Sequence, residues 1–489
     1  MKDYKDLSAR SLGQRIQEGT VDAVEAAKDA LASIEEAEEK LHAFLHILPR
    51  DAILARAGEV QERIERKELT SPLAGVPFAV KDNLCVAGIP TTCGSRMLSN
   101  YIPPYTSTAV QKLLDAGAIL IGKTNMDEFA MGSSTEASYF GPSKNPFDPS
   151  RTPGGSSGGS AVSVAAGFVP FSLGTDTGGS VRQPASFCGL VGWKPSYGLI
   201  SRNGLIAYAS SMDVVGTFTK DPGDALMLMS MLAGKDPKDS TSLDFRFVSD
   251  TKKPEAKGLR IGIPTDLLQA GVDPAIRKLL YKCADRWREA GASVTELELG
   301  HSGALIPAYY TIACAEASSN LERYDGVKYG YRADQYAGLS DLYKKSRSQG
   351  FGAEVRRRIL MGTFVLSREY YDAYYRKALQ VRRLIAGAFE AAFRSFDFLL
   401  TPVTPGTAPL LGEYEKDPVG QYASDLFTVG ANLTGGTAVS FPVGLSDGGL
   451  PVGLQLIGAP GRDRAILKFL EENLPIGHEL PTHPYPYIM

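Results

Sequence analysis

From about Leu7 to Arg66 the chain is rich in Ala, Glu, Lys and Arg, and its apolar positions recur at helical spacing. Val21, Val24, Leu31 and Ile34 are three and seven residues apart. Positions so spaced collect on one helix face, with Thr20 standing where an N-cap is expected. From Ser71 onward the pattern changes to short apolar runs between loops of Gly, Pro and Ser. These runs predict strands at Val76–Val80, Ala118–Ile121, Val169–Leu173, Leu259–Ile263, Phe398–Leu400, Ala438–Phe441 and Gly453–Ile457. Helical patterns at Thr108–Ala116, Pro274–Glu289 and Ala378–Arg394 fall between them. Strands alternating with helices predict an α/β fold, a mixed central sheet covered by helices. The polar stretch Lys235–Lys257 reads as a linker or surface excursion. Strands on both sides of it can join one sheet, so no domain boundary is placed there.

Composition narrows the class without naming a function. The 489 residues are 43% hydrophobic and 22% charged, the balance of a globular protein. That length alone suggests two or three domains. A net charge of −3 gives no general attraction to nucleic acid. Five cysteines (Cys85, Cys93, Cys188, Cys283 and Cys314) make an odd set with no CxxC pair, which reads as buried thiols in a reducing compartment. The charged start, Met1-Lys2-Asp3-Tyr4-Lys5-Asp6, leads into no apolar signal core. The most apolar stretch, Ala161 to Leu173, is too short to span a bilayer. The expected location is cytoplasmic.

One motif is a decoy. Gly117-Ala-Ile-Leu-Ile-Gly122-Lys123-Thr124 matches the letters of a phosphate-binding loop, G-x-x-x-x-G-K-[ST]. Such a loop follows its strand, whereas here Ala118 to Ile121 are themselves the predicted strand. Amides committed to a sheet ladder cannot cradle phosphate.

The densest chemistry lies between Thr152 and Lys194. Two elements, Gly154-Gly155-Ser156 and Gly178-Gly179-Ser180, flank an apolar segment. Glycine pairs free the backbone to aim several amides at one point, and amides beside a serine hydroxyl make an oxyanion hole. A serine nucleophile also needs a base. The five histidines (His42, His46, His301, His478 and His483) all lie outside the region from Leu73 to Gly216. Lys81, which ends the apolar run Val76-Pro77-Phe78-Ala79-Val80, is the economical candidate, because burial can bring a lysine pKa toward neutral.

These residues resemble the amidase signature enzymes, through GGSSGGS followed by GTDTGGSxRxPAxFCG, with the likeness running from about Leu73 to Ile457. The resemblance implies Lys81 as base, Ser156 as bridging serine in a cis peptide, and Ser180 as nucleophile, the serines standing twenty-four residues apart. It implies an oxyanion hole from the amides of Thr177, Gly178, Gly179 and Ser180. It also implies one domain over residues 1–489, against the length-based expectation. Within that domain the regions are a helical 1–66, a signature core at 71–220, the remaining sheet and pocket helices at 258–458, and an atypical tail at 459–489.

Further blocks resemble one branch of that family, the A subunits of glutamyl-tRNA(Gln)/aspartyl-tRNA(Asn) amidotransferases. They are Asp127–Ser134, Asn145-Pro146, Glu316–Leu321, Arg323–Gly326 and Tyr370–Tyr375. The branch implies glutamine as substrate and release of ammonia to a B subunit, braced by a C subunit. There ATP and Mg²⁺ activate a misacylated tRNA; hydrolysis itself needs no cofactor or metal. A free amino acid carries a carboxylate and an ammonium, so its pocket wants one fixed cation and one fixed anion. By resemblance these are Arg358 and Asp425, with Met131 and Tyr309 lining the pocket and Arg357 as the alternative clamp. Leu433–Phe441 departs from the branch's usual Leu-Pro turn. After Gly458 the closing helix pattern is missing, and Pro475, Pro481, Pro484 and Pro486 break any long helix. Two other readings remain open: a free-standing amidase acting on other amides, and a non-catalytic assembly subunit that keeps the fold. The intact Lys81, Ser156 and Ser180 speak against the second.

Overall fold

Eleven strands form one mixed sheet in the computed structural model, which describes residues 4–244, 256–269 and 271–474. They are β1 (Phe44–Ile47), β2 (Pro77–Lys81), β3 (Ile119–Thr124), β4 (Phe171–Asp176), β5 (Val191–Lys194), β6 (Val214–Thr219), β7 (Arg260–Pro264), β8 (Ser293–Leu297), β9 (Phe398–Pro402), β10 (Thr437–Leu445) and β11 (Pro451–Gly458). The spatial order is β1-β3-β2-β4-β6-β5-β10-β11-β9-β7-β8. β2 runs parallel to both β3 and β4, and β7 parallel to β8 and β9; the other pairs are antiparallel. One sheet spanning residues 44 to 458 makes this a single α/β domain and overrides the length-based expectation of several.

The parallel β2–β4 pair positions the chemistry. Phe78 sits opposite Phe171, their rings stacked at 5.4 Å, and both are fully buried. Burying a side chain of that size contributes about 2–3 kcal/mol. This contact fixes the register, so the C-terminal ends of both strands emerge at the same edge, where open α/β sheets bind ligands. Lys81 ends one strand and Asp176 the other.

All seven predicted strands are present, with ends shifted by up to four residues. The predicted helices appear as Thr108–Asp115, Pro274–Glu289 and Lys377–Ser395. Pro274–Glu289 starts at a capping Asp273 with proline in the first turn, and buries Ile276, Leu280, Cys283, Ala284 and Trp287 along one face. The N-terminal helix Ala23–Leu41 is capped by Asp22, whose carboxylate accepts from the Val24 and Glu25 amides, and not by Thr20. The Thr20 hydroxyl donates back to the Arg15 carbonyl, closing the preceding helix.

Strands β1, β5, β6 and β8 are additional to the seven expected; β6 is a fully buried run rich in β-branched residues, Val214–Thr219, that the sequence does signal, and β5 is only four residues long. β1 and β8 are the sheet edges, and β8 is exposed along most of its length. An edge strand has one partner and tolerates polar residues, so its pattern is weak. The expected linker is tied down in its first part: Asp236 accepts from Thr108 and Ser201, each at 2.6 Å. Residues 245–255 of that stretch lie outside the described residues. The tail expectation is corrected for its first part, because Asp463–Asn473 is a helix burying Ala465, Ile466, Leu467, Phe469 and Leu470. The prolines from Pro475 onward lie outside the described residues. The phosphate-loop look-alike is a strand, its Lys123 fully buried and paired with Asp82 at 2.8 Å. Among the described residues no helix is long and apolar enough to cross a membrane, and all five cysteines are free and buried.

Candidate active site

Lys81 is fully buried at the end of β2. Its Nζ reaches Ser156 Oγ at 2.8 Å, Ser157 Oγ at 2.8 Å and Thr175 Oγ1 at 2.9 Å. Burial lowers its pKa to about 7; Asp127, Asp176 and Asp213 pull in the opposite direction without restoring the usual value. A buried amine that is half neutral near pH 7 can take a proton, which a surface lysine cannot. Ser156 enters the helix Gly158–Ala165, which packs on β4, and its peptide with Gly155 is cis. Ser157, the helix cap, donates to the Thr175 carbonyl at 3.1 Å and accepts from Lys81.

Ser180 sits on the loop between β4 and the helix Arg182–Phe187. It is partly exposed, and its hydroxyl has no hydrogen-bond partner among the described residues. The loop is held by Asp176, whose carboxylate accepts from the amides of Gly179, Val181 and Arg182. Arg182 closes the arrangement: its Nε and a terminal nitrogen reach the two Asp176 oxygens at 3.1 and 3.0 Å. Burial pushes the Asp176 carboxyl up, but the Arg182 charge and hydrogen bonds outweigh it and hold the group well below the usual carboxylate range. The Gly179 amide is thereby engaged, while those of Thr177, Gly178 and Ser180 have no partner among the described residues. Close approach explains the glycine pair. A Cβ on Gly178 would lie 2.3 Å from the Tyr309 hydroxyl oxygen, and one on Gly179, at φ +131°, 2.5 Å from Thr428 Oγ1.

Beside Ser180 a small pocket is lined by Gly132, Ser133, Gly178, Tyr309, Tyr310, Arg358 and Asp425 among others. Arg358 comes from the helix Ala353–Leu366 and is 3% exposed. Its Nε donates to Glu354 at 2.8 Å, a terminal nitrogen donates to the Tyr208 hydroxyl at 2.8 Å, and three rings (Tyr208, Tyr310 and Tyr422) lie 5.3–5.6 Å from its central carbon. Asp425 accepts from the Tyr310 hydroxyl at 2.6 Å and from Ser133 at 3.3 Å. Burial raises its pKa to about 6, with Tyr310, Arg358 and Ser133 restraining the rise. Arg357 points elsewhere: it is exposed, pairs with Glu354 and lines a neighbouring cavity together with Met131. Tyr309 lines the Ser180 pocket; Met131 stands just outside it, next to Gly132, which borders both cavities.

Sequence reasoning missed Ser157, Thr175, Tyr310 and the Asp176–Arg182 pair. The pair carried a signal, an acid and a base six residues apart bracketing Gly-Gly-Ser. Thr175 and Tyr310 carried none, being ordinary residues made important by their neighbours.

Residues 25–467 match the family model described as Amidase. The A subunit of glutamyl-tRNA(Gln) amidotransferase from Agathobacter rectalis is 52% identical over 469 residues, covering 95% of this chain and 93% of the relative. The protein of the same name from Prochlorococcus marinus is 52% identical over 454 residues, covering 92% and 93%. The crystal structure of the corresponding A subunit from Thermotoga maritima superposes with a TM-score of 0.79 at 36% identity, over 97% of this chain and 96% of that one.

Proposed function

The chain belongs to the amidase family, and on that premise we propose that it is the glutamine-hydrolysing A subunit of a tRNA-dependent amidotransferase. The observation that carries the substrate is the buried Arg358 and Asp425 in one pocket with Ser180. A cation and an anion together fit the carboxylate and ammonium of a free amino acid, and its side-chain amide then reaches toward the serine.

In this reading Ser180 Oγ attacks the glutamine Cδ. Its proton passes to Ser156, while the Ser156 proton passes to the neutral amine of Lys81. The amides of Thr177, Gly178 and Ser180 stabilise the developing oxyanion. Collapse expels ammonia, which takes its proton back through the same relay, and leaves a glutamyl ester on Ser180. Water repeats the attack and frees glutamate. The hydrolytic step uses no metal or cofactor. The B and C partner subunits, with ATP and Mg²⁺ on the partner side, would use the ammonia to amidate Glu-tRNA(Gln) or Asp-tRNA(Asn), in the cytoplasm.

The test is glutamate release from glutamine by the full chain, alone and co-expressed with its partner subunits. Ser180→Ala should abolish release and leave the thermal midpoint unchanged, since one hydroxyl is removed from a partly exposed site. Undiminished turnover in Ser180→Ala would refute the nucleophile. Turnover of neutral amides but never of glutamine, with or without partners, would make the protein a free-standing amidase.

A further inference from the structure

Asn83 lies two residues beyond Lys81 and is 2% exposed. Its Nδ2 lies 3.0 Å from Thr175 Oγ1, while its Oδ1 is buried with no hydrogen-bond partner among the described residues. Thr175 has the complementary deficit. Its Oγ1 accepts from Lys81 and from Asn83, and its own proton has no acceptor among the described residues apart from Lys81 itself. An unpaired buried oxygen and an unpaired buried proton thus sit on two side chains already in contact, and each is costly left alone.

The direction of each hydroxyl decides what the amine can do. Ser157 spends its proton on the Thr175 carbonyl and so only accepts from Lys81. A neutral amine has two N–H bonds and one lone pair to share among three hydroxyls. The relay needs the lone pair at Ser156, so both N–H bonds must go to Ser157 and Thr175. If Thr175 turns its proton toward the lysine, the lone pair is occupied and Ser156 meets an N–H. The Asn83 amide turned end for end fills the same volume and offers Oδ1 to Thr175, giving the hydroxyl proton an acceptor while the end of the amide without a partner becomes Nδ2. Thr175 then donates to Asn83 and accepts from Lys81, in the amine and ammonium states alike.

We propose that Asn83 is a positioning residue whose side-chain carbonyl, acting through the Thr175 hydroxyl, reserves the Lys81 lone pair for Ser156. The inference rests on Lys81 being the base. No proton leaves Thr175 or Asn83 in the cycle; Ser180 gives its proton to Ser156, and Ser156 gives its own to Lys81.

The experiment measures kcat and KM for glutamine against pH in the full chain, comparing wild type with Asn83→Leu, Asn83→Asp and Lys81→Ala. The charged and titratable groups facing Lys81 (Asp127, Asp176, Asp213 and Cys93) stay unchanged throughout. Asn83→Leu should lower kcat roughly 10- to 100-fold with KM nearly constant, within the range of a lost proton-transfer alignment. Asn83→Asp keeps an acceptor toward Thr175, so kcat should recover on the alkaline side. Its negative charge favours the ammonium and should move the acid limb of the profile upward by about one pH unit. A merely structural asparagine would depress kcat in both variants across the whole profile, since the added charge moves the limb through space in either case and only the alkaline recovery depends on an acceptor for Thr175. Wild-type kcat in Asn83→Leu, or a kcat in Asn83→Asp that stays as low as in Asn83→Leu above the acid limb, overturns the proposal. Full activity in Lys81→Ala removes the base itself, an outcome distinguishable from either.

Discussion

Replacing Arg358 by alanine takes the cation from the pocket beside Ser180. The guanidinium is held by Glu354, the Tyr208 hydroxyl and three tyrosine rings, and the side chain lines the pocket in which a substrate carboxylate would lie. A carboxylate about 3 Å from that charge gains about 5 kcal/mol at an effective dielectric of about 20. Desolvation takes back part of this, and cutting one partner of a buried charged pair costs about 2–5 kcal/mol in practice. At 1.4 kcal/mol per decade, glutamine kcat/KM should fall by roughly 30-fold to several thousand-fold. A neutral amide of similar size makes no such contact and should lose little. Asp425→Asn provides the matched test for the ammonium, because it keeps the shape and deletes the charge, with Oδ1 still accepting from one of the Tyr310 and Ser133 hydroxyls and Nδ2 donating to the other. The assay is steady-state kcat/KM for glutamine and for a neutral amide, with the thermal midpoint of each variant. Equal losses on both substrates would mean that Arg358 and Asp425 only support the fold. Unchanged glutamine turnover would refute the clamp altogether, and Arg357, which faces the neighbouring cavity, could not rescue it.

Lys81→Ala and Ser156→Ala should each cost several orders of magnitude in kcat, as members of a coupled unit do, whereas a chain lacking all five histidines should stay active; near-wild-type rates in Lys81→Ala would end the proposed relay. Because the Lys81 pKa is lowered to about 7, the neutral base fills as pH rises, so kcat should climb through about pH 7 and level off above it. Asp425, raised to about 6, loses its anion as pH falls, so the glutamine KM should rise below about 6; a rate that peaks in acid would contradict both. Arg182→Met breaks a fully buried ion pair and leaves Asp176 without its partner, which should cost about 3–5 kcal/mol. Urea denaturation reads that loss directly, and an unmoved midpoint would show that the pair does not hold the loop.

The sequence by itself determined the covered mixed sheet, seven of its strands and the serine elements around it. Those features are local: central strands are continuous apolar runs, and Gly-Gly-Ser marks backbone that must approach other atoms closely. The same reasoning separated Lys123 from a phosphate-binding lysine, because strand residues stood where loop residues were required. Arg358 and Asp425 were reachable through resemblance, but their burial in one pocket with Ser180 was not. Nothing along the chain distinguishes Arg358 from Arg356 and Arg357; packing alone sends one arginine among three tyrosines and leaves Arg357 exposed. Thr20 against Asp22 is the same lesson on a smaller scale, since both residue types cap helices and only the actual helix start chooses between them. The edge strands β1 and β8 were illegible because one-sided pairing puts little constraint on side chains. The setting of Lys81 belongs wholly to tertiary structure. Ser156, Ser157 and Thr175 come from two separate segments, and only the parallel pairing of β2 with β4 and the helix packed on it bring three hydroxyls around one buried amine. Burial then brings the lysine near neutrality, and burial is a property of the surroundings that no stretch of sequence holds by itself.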